Sequence, residues 1–338
     1  MSDKRFLGNI ITPTPTAPAG PYQDSAAPGV WSLQEAFTYT KAGLWPTAGN
    51  VAQYGVFGGG RDIGGTAVNT IDYIFINTTG NATDFGDLSQ TRARLAACSS
   101  STRGLFGGGS NSSDTPVGTV YYASFSTKGN TSTFGNLTQS RTELAALSND
   151  TRGVFAGGAT SGPTINVMDY VTIATTGNAI DFGDLLSPIQ GLAGCASSTR
   201  GIFAGGSTTD VIQYITIASA GDSTDFGDLL AATYDLASCS SSTRGLFGGG
   251  NAGGTTNVIQ YVTIASTGNA TDFGDLTSVV LALSACASDV RGVFGGGSTT
   301  NVIQYVTIAS TGNATDFGDL TLARGYLAAC SNVHGGLS

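Results

Sequence analysis

The chain has 338 residues, 50 of them glycine, and only 11% are charged, so it is long enough and apolar enough to bury a full core. Its net charge of −9 argues against nucleic-acid binding, which needs clustered Lys and Arg for phosphate contacts. No apolar run is long enough to span a bilayer, which argues against membrane insertion, and no basic-then-apolar leader pattern stands at the N-terminus, so signal-peptide export is not expected.

Residues 11–28 are rich in Pro, Thr and Ala, which favours an extended, polyproline-like arm with too little apolar content to fold alone. Ser32 followed by Glu35 forms a capping box, and Gly43 is placed to end a helix of about three turns. Trp31, Phe37, Tyr39 and Trp45 give this stretch an aromatic surface suited to anchoring. Residues 1–49 therefore read as an arm with a short helix, and residues 50–338 as a separate repeat domain.

Four signposts recur six times through that domain. A glycine-rich segment carries Phe57, Phe106, Phe155, Phe203, Phe247 or Phe294, and a Tyr follows at 73, 122, 170, 214, 261 or 305. From each Tyr to the Phe of the next Phe-Gly pair the step is always 12, from there to a Leu always 10, and from Leu to the next glycine-segment Phe always 11. Only the step from the first Phe to Tyr varies, between 11 and 16, so one loop absorbs all the slack and the repeats run 44 to 49 residues. A period in this range marks propeller blades.

Each signpost predicts one strand. LAAC and its variants supply small side chains for an innermost strand at the crowded channel, and RGLFGGG supplies bulk beside glycines that permit close backbone approach. NVIQYVTIAS is β-branched on both faces, as burial between blades requires, and ATDFGDL is short and polar, as an outer strand should be. The first copy begins with its glycine strand at residues 54–60, while the chain ends with an orphan LAAC strand at 326–331. The expectation is an all-β, six-bladed propeller of four-stranded blades, closed by the C-terminal strand lying in the first blade. A seventh blade built from residues 45–53 and 334–338 is the alternative, without Tyr or Phe-Gly signposts in either stretch.

The same repetition disposes of most site motifs. Cys98, Cys195, Cys239, Cys286 and Cys330 share one repeat position with Leu147, so they read as buried free thiols, not disulfides or metal ligands. Pairs such as Asp84/Asp87 and Asp272/Asp275 recur in five copies and read as structural, as do N-x-S/T turns such as those at Asn81 and Asn269. His334, the only histidine, lies outside every repeat, which removes imidazole-based catalysis, and no cofactor, metal or catalytic residue is expected. Arg103, Arg152, Arg200, Arg244 and Arg291 open the glycine strands and are expected to bond an Asp or a carbonyl of their own or the next blade. Tyr54 would interrupt that belt.

The variable loops, residues 61–69, 110–118, 159–166, 207–210, 251–257 and 298–301, fall on the end opposite those arginines. Length variation on a rigid scaffold suits recognition. Arg61, Asp62, Asn111, Asp114, Thr164, Thr208, Asp210, Asn251, Thr255 and Thr299 are the candidate contact residues.

The run R-x-L-A-A-C through TRGLFGGG to NVIQYVTI resembles the kelch motif over residues 50–338, with Phe standing where kelch repeats usually carry Trp. Kelch-like propellers serve enzymes, adaptors and adhesins alike, so this resemblance implies a fold and not a function. The stretch APGVWSLQEAFTYTKAGLWP resembles segments of tailed-bacteriophage virion proteins, in which an N-terminal arm joins a repeat-rich receptor-binding region. The resemblance implies a non-enzymatic virion component, such as a tail fibre, baseplate or capsid decoration. It would be assembled in the host cytoplasm, oligomeric through assembly and anchored to other virion proteins through residues 1–49. Its loops would meet a host surface glycan or protein. The competing reading is a cytosolic kelch-type adaptor for another protein.

Overall fold

The computed structural model describes residues 5–7, 30–41, 52–298 and 300–337. The chain divides into two compact units, Met1–Gln53 and Tyr54–Ser338. In the first, the strand Arg5–Leu7 pairs antiparallel with Val30–Ser32, and the helix Leu33–Lys41 follows directly. The capping box is formed reciprocally: the backbone N–H and the hydroxyl of Ser32 both donate to Glu35 Oε2, at 2.9 and 2.6 Å, and the Glu35 N–H donates to Ser32 Oγ at 3.3 Å. The expected polyproline arm at 11–28 and the helix stop at Gly43 lie outside the described residues.

The second unit is a six-bladed β-propeller of four-stranded antiparallel sheets. Blade 2 is typical, with its inner strand Ala96–Ser99, then Arg103–Gly107, Thr119–Ser124 and the outer strand Ser132–Asn136. Blade 1 is built from both ends of the repeat domain. Its inner strand Ala328–Ser331 pairs with Tyr54–Gly58, whose neighbours are Thr70–Phe75 and then Thr83–Asp87. The ring is thus closed by the C-terminal strand in six blades.

Small side chains at the inner strands act as pegs between blades. Each inner-strand thiol points at the glycine that follows the opening residue of the next blade's second strand. A Cβ on Gly153 would stand 2.6 Å from Cys98 Sγ, one on Gly245 2.8 Å from Cys195, and one on Gly104 2.9 Å from Cys330. Leu147 makes the same contact on Gly201, so the interlock needs a compact apolar peg and not sulfur chemistry. Burial raises the Cys195 and Cys330 thiols to about 12, which leaves them protonated and unreactive. The five cysteines are free, as the sequence led us to expect.

The invariant spacings have a common cause at the outer half of each blade. The signpost Tyr packs edge-on to the Phe of the Phe-Gly pair, with ring centroids 5.9–6.1 Å apart in all six blades. In blades 2 to 6 the arginine that opens the second strand lies over the same Tyr, 4.3–4.9 Å from its centroid. Its Nη1 then donates across the gap to the next blade, as from Arg152 to the Ala218 carbonyl at 2.8 Å and from Arg291 to that of Ile76 at 3.0 Å. The arginines thus take carbonyls of the next blade and not the aspartates. Where Tyr54 breaks the series, Lys128 of blade 2 reaches back, 4.8 Å over the Tyr54 ring and 3.2 Å from its hydroxyl.

Asn side chains of the N-x-S/T turns complete the seams, since Asn81, Asn130, Asn269 and Asn313 each accept the backbone N–H of an outer-strand Asp in the preceding blade. Behind them lie two fully buried ion pairs, Arg141–Asp169 at 2.8 Å and Arg324–Asp72 at 3.0 Å. In the corresponding places blades 4, 5 and 6 carry Ile189, Thr233 and Val280 with Gln213, Gln260 and Gln304, whose amide oxygens accept the N–H groups of Leu186, Leu230 and Thr277. Blade 2 carries Arg92 with Tyr121, the guanidinium carbon 5.5 Å from the ring centroid and its Nη2 donating to the hydroxyl at 3.2 Å, so the described residues contain three solutions to one packing problem. Removing one partner strands a buried charge, whereas exchanging the whole pair need not. Asp169→Ala should cost about 3–5 kcal/mol in urea unfolding. The double change Arg141→Ile with Asp169→Gln, which copies blade 4, should stay within about 1.5 kcal/mol of the parent.

Candidate functional site

The two ends of the channel differ. At the arginine end the tail beyond Ser331 turns into the channel, and a short 3-10 helix, Gly335–Leu337, packs against the inner strands. Residues 334–337 therefore stop the channel and do not contribute to a seventh blade. A Cβ on Gly335 or Gly336 would overlap the carbonyl of Ser241 or Ser148, so only glycine seats here. His334 Nδ1 accepts the Gly336 N–H at 3.1 Å, which places the neutral ring's proton on Nε2, 3.3 Å from the Ser99 carbonyl. Burial lowers its pKa to about 4, against a smaller opposing effect of the Ser99 carbonyl and Asp150.

At the other end the channel opens into a cavity of about 80 Å³. Six residues, each directly before the repeated Leu, form its rim: Arg94, Glu143, Gly191, Asp235, Ala282 and Tyr326. Each donates its backbone N–H to the carbonyl of the corresponding residue one blade back, at 2.7–2.9 Å, closing a complete hydrogen-bonded circuit. All six have left-handed backbone, with φ between 53° and 70°. That conformation costs a non-glycine residue about 1–2 kcal/mol, yet only one of the six is glycine. The frame is nearly identical from blade to blade while the side chains on it are all different.

Arg94 is held on three sides. Its Nε lies 3.2 Å from Glu143 Oε1, its Nη1 3.5 Å from Asp114 Oδ1, and its guanidinium carbon 4.9 Å from the Tyr326 ring centroid. Arg61 adds a further ion pair to Asp114. Across the mouth, burial foremost and then the Glu143 charge raise Asp235 to about 6, while Arg94 and a hydrogen bond from Tyr326 oppose the shift.

Of the loop residues singled out by sequence, Arg61 and Asp114 are brought together beside this mouth. The others spread around the rim and serve their own turns. Asp62 Oδ1 accepts the N–H groups of Gly64 and Thr66, and Asn111 Oδ1 those of Ser113 and Thr115. Thr164 donates to Gln190 Oε1 at 3.1 Å, and Asn251 bridges Tyr234 and Thr255. Thr208 is exposed with φ 70°, Asp210 is half-buried, and Thr299 lies outside the described residues. Of the arm aromatics, Phe37 is 61% exposed, while Trp45 and the side chains of Trp31 and Tyr39 lie outside the described residues.

The rim residues Arg94, Glu143, Asp235 and Tyr326 were not among the sequence candidates. A usable signal existed: in a repeat whose Leu never varies, the position before it reads Arg, Glu, Gly, Asp, Ala, Tyr. Neither the protein-family models nor the curated proteins contain a match to this chain.

Two pH effects of opposite sign follow. His334 has a folded pKa below its unfolded value of 6.5, so its contribution is present above that value and lost as pH falls towards 4, by on the order of 3 kcal/mol. His334→Gln should flatten this limb relative to the parent in urea titrations between pH 7 and 4. Asp235 is raised from 3.8, so it weakens the fold as pH climbs through about 6. Asp235→Asn should be about 1–3 kcal/mol more stable than the parent at pH 8 and equal to it at pH 4.

Proposed function

We propose that the chain is a non-enzymatic recognition protein of a tailed-bacteriophage particle, displaying the variable-loop end of the propeller to a host surface glycan or protein and docking to other virion proteins through residues 1–49. The observation that carries the recognition part is where the copies differ. Loop length and rim chemistry vary at one end, while the arginine–carbonyl belt and the His334 stopper occupy the other. Residues kept different on a frame that would tolerate identical ones are residues selected for contact. The virion part rests on the resemblance of APGVWSLQEAFTYTKAGLWP to arm segments of phage structural proteins, and the kelch-like character of the repeats rests on the LAAC–RGLFGGG–NVIQYVTI pattern. Exposed Phe37 on the capped helix is the kind of apolar handle such docking uses.

Mass spectrometry of purified particles should find the chain, and deletion of residues 1–49 should remove it from them. Grafting the short loop at 207–210 onto the longer ones at 110–118 and 251–257 should lower adsorption to host cells at least tenfold with the melting temperature little changed. Incorporation of the deletion variant would end the anchoring claim, and unchanged adsorption would end the loop claim. Absence from particles would favour the cytosolic kelch-type adaptor.

A further inference from the structure

Around the hydrogen-bonded circuit at the open mouth the order is Arg94, Glu143, Gly191, Asp235, Ala282, Tyr326. Oxygen-bearing side chains thus stand at every second place, Glu143, Asp235 and Tyr326, on a frame of near six-fold regularity. Alternate corners of a hexagon make a triangle. We propose that this mouth binds a primary ammonium group seated near the channel axis, with its three N–H donors directed to Glu143, Asp235 and the Tyr326 hydroxyl. The proposal takes the choice of face from the recognition reading and adds the ligand's chemistry.

Three further observations select an ammonium. The first is valence: R–NH₃⁺ presents three donors in trigonal array and no acceptor, and the two carboxylates and a phenol oxygen are all able to accept, the phenol through the lone pair left to it while it donates to Asp235 and accepts from Arg94. Charge is the second. Arg61 and Arg94 face three carboxylates, Asp114, Glu143 and Asp235, and both guanidiniums are already paired, so one negative charge is left over in a partly desolvated site. A neutral ligand would leave that charge uncompensated. Room is the third, because Gly191 and Ala282 flank Asp235 on either side and carry at most a methyl, and the cavity of about 80 Å³ lies among these residues. A metal ion suits the place less well: among the described residues no three His, Cys, Asp or Glu groups converge closely enough to hold one. Since residues 334–337 stop the opposite end, the ligand's stem must leave through the loop face.

The test is calorimetry on the full chain with n-butylammonium and glucosamine, against n-butanol and N-acetylglucosamine as neutral partners of similar shape. Both amines should bind and both neutral compounds should not. Asp235→Asn and Glu143→Gln should each weaken the amines at least tenfold, whereas Asp225→Asn on an outer strand should not, with melting curves confirming that every variant is folded. The groups facing Asp235 are Glu143, Arg94 and Tyr326. Binding needs the carboxylate form, so affinity should rise about tenfold from pH 5 to pH 7. Preference for glucosamine would assign the amine to an amino sugar, and preference for butylammonium to a simple alkylamine. Equal binding of the neutral partners, no amine binding, indifference to Asp235→Asn, or displacement by millimolar CaCl₂ but not by NaCl of equal ionic strength would each overturn the proposal. Loss of amine binding with host adsorption intact would remove only this inference; amine binding without host adsorption would remove only the recognition reading.

Discussion

A blade of this propeller cannot be stable alone, because its second strand carries glycine where a neighbour must enter. The Sγ of one inner strand occupies the space above the glycine of the next blade, and a Phe of four of the second strands does the same towards the preceding one, as Phe106 does over Gly58 and Phe155 over Gly107. At the glycine that receives the inner-strand peg a larger side chain would collide with it, while a smaller peg would leave a void. Each blade is thus unfinished until both neighbours are present, and the ring is the smallest structure in which none lacks a neighbour. This explains why the C-terminal strand must join blade 1: without it Cys330 would not fill the space at Gly104, and Ser331 would not donate to the Ala287 carbonyl at 2.7 Å.

Repetition made the architecture readable. Tyr-to-Phe spacing of 12 residues was fixed because the two rings meet edge to face, and the loop that could vary was the one whose tip makes none of the contacts repeated from blade to blade. Chain order alone announced the closing strand. The partner of the belt arginines was legible only as a choice between carboxylate and carbonyl, since the choice depends on how far the next blade's third strand overhangs, a property of packing and not of sequence. Coupling between Asp169 and Arg141 was present in the copies but easy to miss, because the two stand 28 residues apart and are exchanged for Gln and Ile in blade 4 without disturbing any signpost. The rim was missed for the opposite reason. A reading that looks for recurrence passes over a column whose residue differs in every copy, as the position before Leu does.

That column shows what internal repetition lets a protein do. Six equivalent places with the same left-handed backbone and the same circuit of hydrogen bonds provide a scaffold whose shape does not depend on the side chains it carries. Side chains there can be exchanged singly, at a backbone cost of about 1–2 kcal/mol each against glycine, with no effect on the interlock beneath. That cost is small enough at each place for the frame to hold Arg, Glu, Asp and Tyr side by side.

Position relative to the stopper then decides what those groups can meet. His334, neutral and hydrogen-bonded through both ring nitrogens, holds residues 334–337 in place through ordinary pH and leaves the charged rim as the channel's exposed mouth. Asp235 sits half-buried with its charge opposed by Glu143, an arrangement that weakens the fold above pH 6 and that nothing in the interlock requires. Glycine at that position would fit the backbone better and would not carry the electrostatic cost. A group that is kept at a cost to stability, at the one open end of a closed ring, is explained by what it contacts from outside.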